Sequence, residues 1–106
     1  MFKDGAHLKK SSQILKALGN HYRLQIVSML LRGEQNVSEL NRTVKVSQPA
    51  LSQHLSKLKR EGILGARRDQ RQIFYYLANP HVIRLLGVVG EVASAPPVDA
   101  GKKTTK

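Results

Sequence analysis

Between Val46 and Arg60 the chain reads Val-Ser-Gln-Pro-Ala-Leu-Ser-Gln-His-Leu-Ser-Lys-Leu-Lys-Arg, and few folds accommodate such a stretch. Placed on a helix, Leu51, Leu55 and Leu58 stand four and three residues apart and form one buried row. At about 100° per residue the opposite side collects Pro49, Gln53, Ser56, Lys57 and Arg60, with Gln48 and Ser52 on one flank. The helix therefore has a narrow apolar seam and an outer surface of hydroxyls, amides and cations with almost no carboxylate. The seam must dock on a core, and the outer face suits a polyanion.

The residues before it supply that core. Leu8, Ile14, Leu15, Ala17 and Leu18 predict an amphipathic helix from about His7 to Leu18, closed by Gly19. Asn20 then caps a second helix over His21 to Arg32, with Leu24, Ile26, Val27, Leu30 and Leu31 buried and Gly33 as its stop. Asn36 and Glu39, three residues apart, resemble a capping box opening a short helix to about Val44, with Val37, Leu40 and Val44 inward. Lys45-Val46-Ser47 is a three-residue turn; Ser47 can cap the next helix, which tolerates Pro49 in its first turn and stops at Gly62. A short helix, a tight turn and a longer helix with a polar outer face make a helix-turn-helix.

After it, residues 63–68 and 72–77 read as two strands, the second alternating with Ile73, Tyr75 and Leu77 inward. Phe74 and the tyrosines serve as hairpin core. The connection Asp69-Gln70-Arg71 lacks glycine, which predicts a splayed, mobile hairpin. Asn79-Pro80 opens a last helix whose apolar residues, Val82, Ile83, Leu85, Leu86, Val88, Val89 and Val92, cover nearly its whole circumference. Such a helix must be covered on two sides, and in so small a domain the second cover is another copy of the chain. The expected organisation is a flexible N-terminus over 1–6, one domain over 7–93 and a disordered basic tail over 94–106. The fold class is mainly α with a small β-hairpin.

The net charge of +11 points to a polyanionic partner, and residues 36–79 alone carry +5. The apolar segment 80–93 carries no net charge. The chain has no cysteine, which removes disulfides, thiolate metal sites and thiol redox sensing. No apolar run reaches the roughly 18–20 residues of a membrane span, so a cytoplasmic protein with no membrane partner is expected. His7, His21, His54 and His81 sit on separate elements, and neither a metal site nor a cofactor is expected. Seven acidic residues, no Ser–His–Asp arrangement and no glycine-rich phosphate loop argue against an enzyme.

Gly19 to Ile26, Val37-Ser38-Glu39-Leu40, Ser47 to Leu58, and Arg67-Arg68 followed by Tyr75-Tyr76-Leu77 together resemble the ArsR/SmtB family. The likeness spans residues 13–88 and is greatest to the HlyU/NolR-like branch. It implies a winged helix-turn-helix in the order α-α-α-α-β-β-α, a homodimer formed through the first and last helices, and operator binding released by an inducer. On that pattern Leu8, Leu15, Val82, Leu85, Leu86 and Val89 form the dimer interface. The family's cysteine sites are missing between Val37 and Val44, and Ser28 stands where the branch carries a thiol. Its last-helix zinc site also lacks ligands: His81 is followed three turns on by Val88, Val89, Glu91 and Val92. The inducer is therefore left unknown.

A recognition helix in the major groove assigns base reading to Gln48, Ser52 and Gln53, whose amides and hydroxyl match base-edge donors and acceptors. Arg42, Lys45, Ser47, His54, Ser56, Lys57 and Arg60 become candidates for the DNA backbone, His54 equally for a structural hydrogen bond. Arg67, Arg68 and Arg71 are the wing's candidate contacts. The expected function is a sequence-specific, double-stranded DNA-binding transcription regulator, a repressor on a near-palindromic operator. Two other readings stay open: an antirepressor or nucleoid-competing binder of low specificity, and an adaptor whose basic face meets an acidic protein.

Overall fold

Five helices and three strands make up the computed structural model, which describes residues 1–98. In order they are α1 (Gly5–Leu18), α2 (His21–Leu30), β1 (Gln35–Asn36), α3 (Val37–Thr43), α4 (Gln48–Arg60), β2 (Leu64–Asp69), β3 (Gln72–Leu77) and α5 (Pro80–Ser94). Ser94, expected to open the tail, instead closes α5; residues 95–98 follow it outside any helix or strand, and 99–106 of the expected tail lie outside the described residues.

The helix ends follow local chemistry. Helix α1 starts before the expected His7 because the Asp4 carboxylate accepts from the His7 backbone N–H at 2.8 Å. The expected caps stand at α2, where Asn20 accepts from Tyr22 and Arg23, and at α4, where Ser47 accepts from Ala50. At α3 the capping box is complete: Asn36 Oδ1 accepts from the Glu39 N–H, and Glu39 Oε1 from the Asn36 N–H, both at 2.8 Å. Helix α4 ends in a Schellman turn, with the Gly62 N–H on the Lys59 carbonyl and the Ile63 N–H on the Leu58 carbonyl, each 3.0 Å. Gly62 takes φ 77°, which a side chain would resist.

The row anticipated on α4 is the centre of the core. Leu51, Leu55 and Leu58 are buried against Ile26 and Val27 of α2, Leu40 and Val44 of the α3 region, and Ile63. The wing packs on the same body through Leu64, Tyr75 and Leu77. Leu31, expected in the core, instead lies exposed because α2 gives way to a turn after Leu30.

The sheet departs from the expectation twice. A third strand, β1, pairs antiparallel with β3 through Gln35↔Tyr75 and Asn36↔Phe74, giving the order β1-β3-β2. Two polar residues carry no alternation, so it left no mark in the sequence. The hairpin is also not splayed: β2 and β3 pair in register out to Asp69↔Gln72, leaving a two-residue turn. Gln70 supplies the positive φ, 58°, that a glycine would otherwise provide. The left-handed conformation costs a non-glycine residue roughly 1–2 kcal/mol, offset here by a six-rung ladder. Lower in the hairpin the Tyr76 ring lies over Gly65, its cross-strand partner, where a Cβ would come within 2.5 Å of the ring.

Val82, assigned to the dimer face from sequence, is buried in the chain's own core. It sits in the first turn of α5, where the helix first crosses the body. Leu85 and Leu86 are half-buried against the same core, whereas Leu8, Leu15 and Val89 are exposed, as are Ile83, Val88 and Val92.

Candidate nucleic-acid interface

Helix α4 presents its expected outer face. Gln48, Ser52, Gln53, Ser56, Lys57 and Arg60 are all exposed, because the inward row commits the opposite side of the helix to the core. Ser52, Gln53, Ser56, Lys57 and Arg60 line one open groove of about 360 Å³ that holds no carboxylate. At the N-terminal end, Gln48 shares a cleft of about 260 Å³ with Asn36, Ser38, Arg71 and Gln72, so the wing and α4 open on a common surface. Arg42 joins Gln48 along an adjoining groove from the α3 side. Ser47 and Lys45 are exposed at the turn, with the Lys45 ammonium on the Arg42 carbonyl at 2.6 Å.

The angle of α4 to α3 is held by a residue without a sequence-assigned role. The Asn41 side-chain amide donates to the carbonyls of Val44 and Val46, at 3.1 and 3.0 Å, and so satisfies the backbone of the helix-turn-helix turn. An amide five residues before the turn's midpoint was the available clue.

His54 is drawn away from the open face. It is half-buried, and its Nδ1 lies 3.2 Å from Arg23 Nη1. Arginine can only donate, so Nδ1 must accept, which places the ring proton on Nε2 and keeps the imidazole neutral. Burial, then the charges of Arg23 and Lys57, hold its pKa below the ordinary histidine value. The same Arg23 guanidinium donates from Nε to the Ala17 carbonyl at 2.5 Å and from Nη2 to the Lys16 carbonyl at 3.4 Å. One arginine thus closes the C-terminus of α1 and ties it to α4. The structural hydrogen bond expected as one role of His54 is thus formed, to Arg23.

The wing arginines divide. Arg67 makes a two-pronged contact to Glu34, Nε to Oε1 at 2.7 Å and Nη2 to Oε2 at 2.9 Å. Its guanidinium lies 4.7 Å from the centre of the Phe74 ring, its cross-strand partner, and 3.8 Å from Asp69. This hydrogen-bonded pairing holds the Glu34 carboxyl below its usual range and raises the Arg67 pKa. Arg67 therefore braces the wing against the segment before β1. Arg68 and Arg71 are exposed and make no ion pair among the described residues. Nothing in the sequence marks Glu34, because it meets Arg67 only once β1 has paired with β3.

Among the described residues no three His, Asp or Glu side chains converge as a metal site requires, and no helix is long and apolar enough to cross a membrane.

The profile of the arsR family of bacterial regulatory proteins matches residues 20–65, from the α2 cap to the start of the wing. The transcriptional activator HlyU of Vibrio cholerae is 44% identical over 73 residues, 69% of this chain and 68% of that protein. The biofilm growth-associated repressor of Agrobacterium fabrum is 39% identical over 83 residues, 78% of this chain and 71% of that one. Among solved structures, the homodimeric winged helix-turn-helix DNA-binding domain of a possible ArsR-family regulator from Mycobacterium bovis superposes with a TM-score of 0.77. It is 34% identical and covers 83% of this chain and 82% of its own.

Proposed function

The chain belongs to the ArsR family of bacterial regulators, and from that premise we propose a homodimeric, sequence-specific, double-stranded DNA-binding transcription regulator. The observation that carries this reading is the pair of openings along α4, the groove on its outer face and the cleft it shares with the wing, whose linings expose amides, hydroxyls and cations and hold no carboxylate. Gln48, Ser52 and Gln53 read base edges in the major groove, while Arg42, Lys45, Ser47, Ser56, Lys57 and Arg60 meet phosphates. Two copies joined through α1 and α5 present two such helices to half-sites one helical turn apart. The domain expected over residues 7–93 carries both tasks, and the place of action is the nucleoid.

Repression by occlusion is the mode such a dimer supports: seated on its operator, it blocks access to the DNA beneath it. An occluding dimer activates transcription only where what it displaces is itself a silencer.

Gln53→Ala tests the reading helix. It will weaken operator binding by about 1–3 kcal/mol and relax selectivity at one base position per half-site, measured by gel shift on single-base operator variants. Unchanged affinity and selectivity would remove Gln53 from the reading face. The wing arginines give a contrast. Arg68→Ala will weaken binding to every duplex alike and reduce the slope of log affinity against log salt by about 0.9. Arg67→Ala will leave that slope unaltered, because its charge is already matched by Glu34. Equal slopes in the two variants would refute this division.

A further inference from the structure

Beside the α4 groove lies a second cavity, of about 170 Å³, where α1, α2 and α4 converge. Gln13 and Lys16 line it from α1, Arg23 from α2, Lys57 and Arg60 from α4, and Glu61 from the C-cap of α4. The four cations face one carboxylate, and Glu61 is already engaged by Lys10, whose Nζ lies 3.0 Å from its Oε1. The cavity thus gathers positive charge that no further carboxylate among the described residues lining it neutralises. Like charges held in one concavity repel, and a bound anion relieves that repulsion.

Arg23 gives the site a fixed part. Three of its N–H groups are held by the Ala17 and Lys16 carbonyls and by His54, so the guanidinium is ordered before any ligand arrives. Two of its five N–H groups remain uncommitted. Its position also covers the carbonyls at the end of α1, whose partial negative charge would otherwise repel an anion. Lys16, Lys57 and Arg60 are exposed and free to close over a ligand, and the Gln13 amide adds a neutral donor.

We propose that this α1–α2–α4 cavity binds a phosphate group. Four cations favour a phosphate over a singly charged carboxylate, and an ordered guanidinium matches its tetrahedral oxygens. The phosphate has two possible sources. Lys57 and Arg60 line both this cavity and the α4 groove, so a backbone phosphate flanking the operator could enter it, extending the interface onto α1. That source rests on the DNA-binding reading above. The other source is a free phosphate or phosphorylated small molecule, which needs no DNA.

Lys16→Glu, compared with Lys9→Glu, tests the proposal, since Lys9 is an exposed α1 cation that does not line the cavity and the charge change is the same. Inorganic phosphate is titrated into the full chain at constant ionic strength, against chloride, and the amide resonances of Lys16, Ala17 and Arg23 are followed. Duplex affinity is measured in parallel across a salt series. A free-phosphate site gives saturable shifts that Lys16→Glu abolishes and Lys9→Glu preserves, with the two variants alike on duplex. A backbone-phosphate site gives about tenfold weaker duplex binding for Lys16→Glu than for Lys9→Glu, and a salt slope smaller by about 0.9, with base selectivity unchanged. The proposal is overturned if phosphate acts no differently from chloride and the two variants bind duplex equally. If the wild type binds no duplex at all, the DNA reading fails by itself and the phosphate titration alone decides the site.

Discussion

Leu55→Ala will lower the unfolding free energy by about 3 kcal/mol, read from urea denaturation, with the midpoint falling and the slope kept. Leu55 is only 1% exposed and sits midway along the row by which α4 docks on α2, Leu40 and Ile63. Removing its side chain deletes apolar contact and leaves a cavity that a rigid helix closes poorly. Domains of this size have about 5–15 kcal/mol in total, so the loss is a large share. Ser56→Ala, one residue on and facing outward, will change stability by no more than about 0.5 kcal/mol. A cost below about 1 kcal/mol for Leu55→Ala would mean that α4 is held by something other than its leucine row.

The second large effect concerns assembly. Val89→Glu will convert the dimer to a monomer at micromolar concentration, measured by sedimentation, and weaken operator binding on the order of a hundredfold. Val89 is 42% exposed in the single chain, beside Val88 at 55% and Val92 at 69%, so the substitution spares the chain's own core. Leu8 and Leu15 of α1, each more than half exposed, offer the other expected part of the interface. In a two-fold dimer the same patch meets itself, and one substitution places two carboxylates in the interface. A monomer engages one half-site and forfeits the contacts of the other. A Val89→Glu protein that stays dimeric with operator affinity intact would move the interface off α5. Val82 marks the inner limit of that surface, since the core already covers it.

Both effects were legible in part from the residue pattern. The α4 row, the caps at Asn20, Asn36, Ser47 and Asn79, and the outer face from Gln48 to Arg60 each belong to a single helix and the residue that caps it. Spacing and side-chain type suffice there because the partners are local. The same holds for the two long strands, whose apolar and aromatic residues mark them without reference to the rest of the fold. Strand β1 was not legible, because Gln35 and Asn36 become a strand only by pairing with residues about forty positions away. The turn at Gln70 was misjudged for a related reason: the ladder on either side imposes a backbone conformation that the local residues do not favour.

By itself, then, the sequence determined the helical order, the row that docks α4, and a reading face rich in amides and cations. Those follow from helix period and from the chemistry of caps, which act over a few residues. Only the tertiary structure decided which cations are free. Arg67, Arg68 and Arg71 are equivalent as letters, yet Glu34 takes up the first across the sheet. His54 belongs to α4 by sequence and to Arg23 by contact, and Val82 passes from the outer face to the core where α5 crosses the body. Each of these depends on groups distant in the chain meeting within a few ångströms, which helical period does not encode. The helix that organises the chain is thus written in its own thirteen residues, whereas the set of charges around it is settled by the packing.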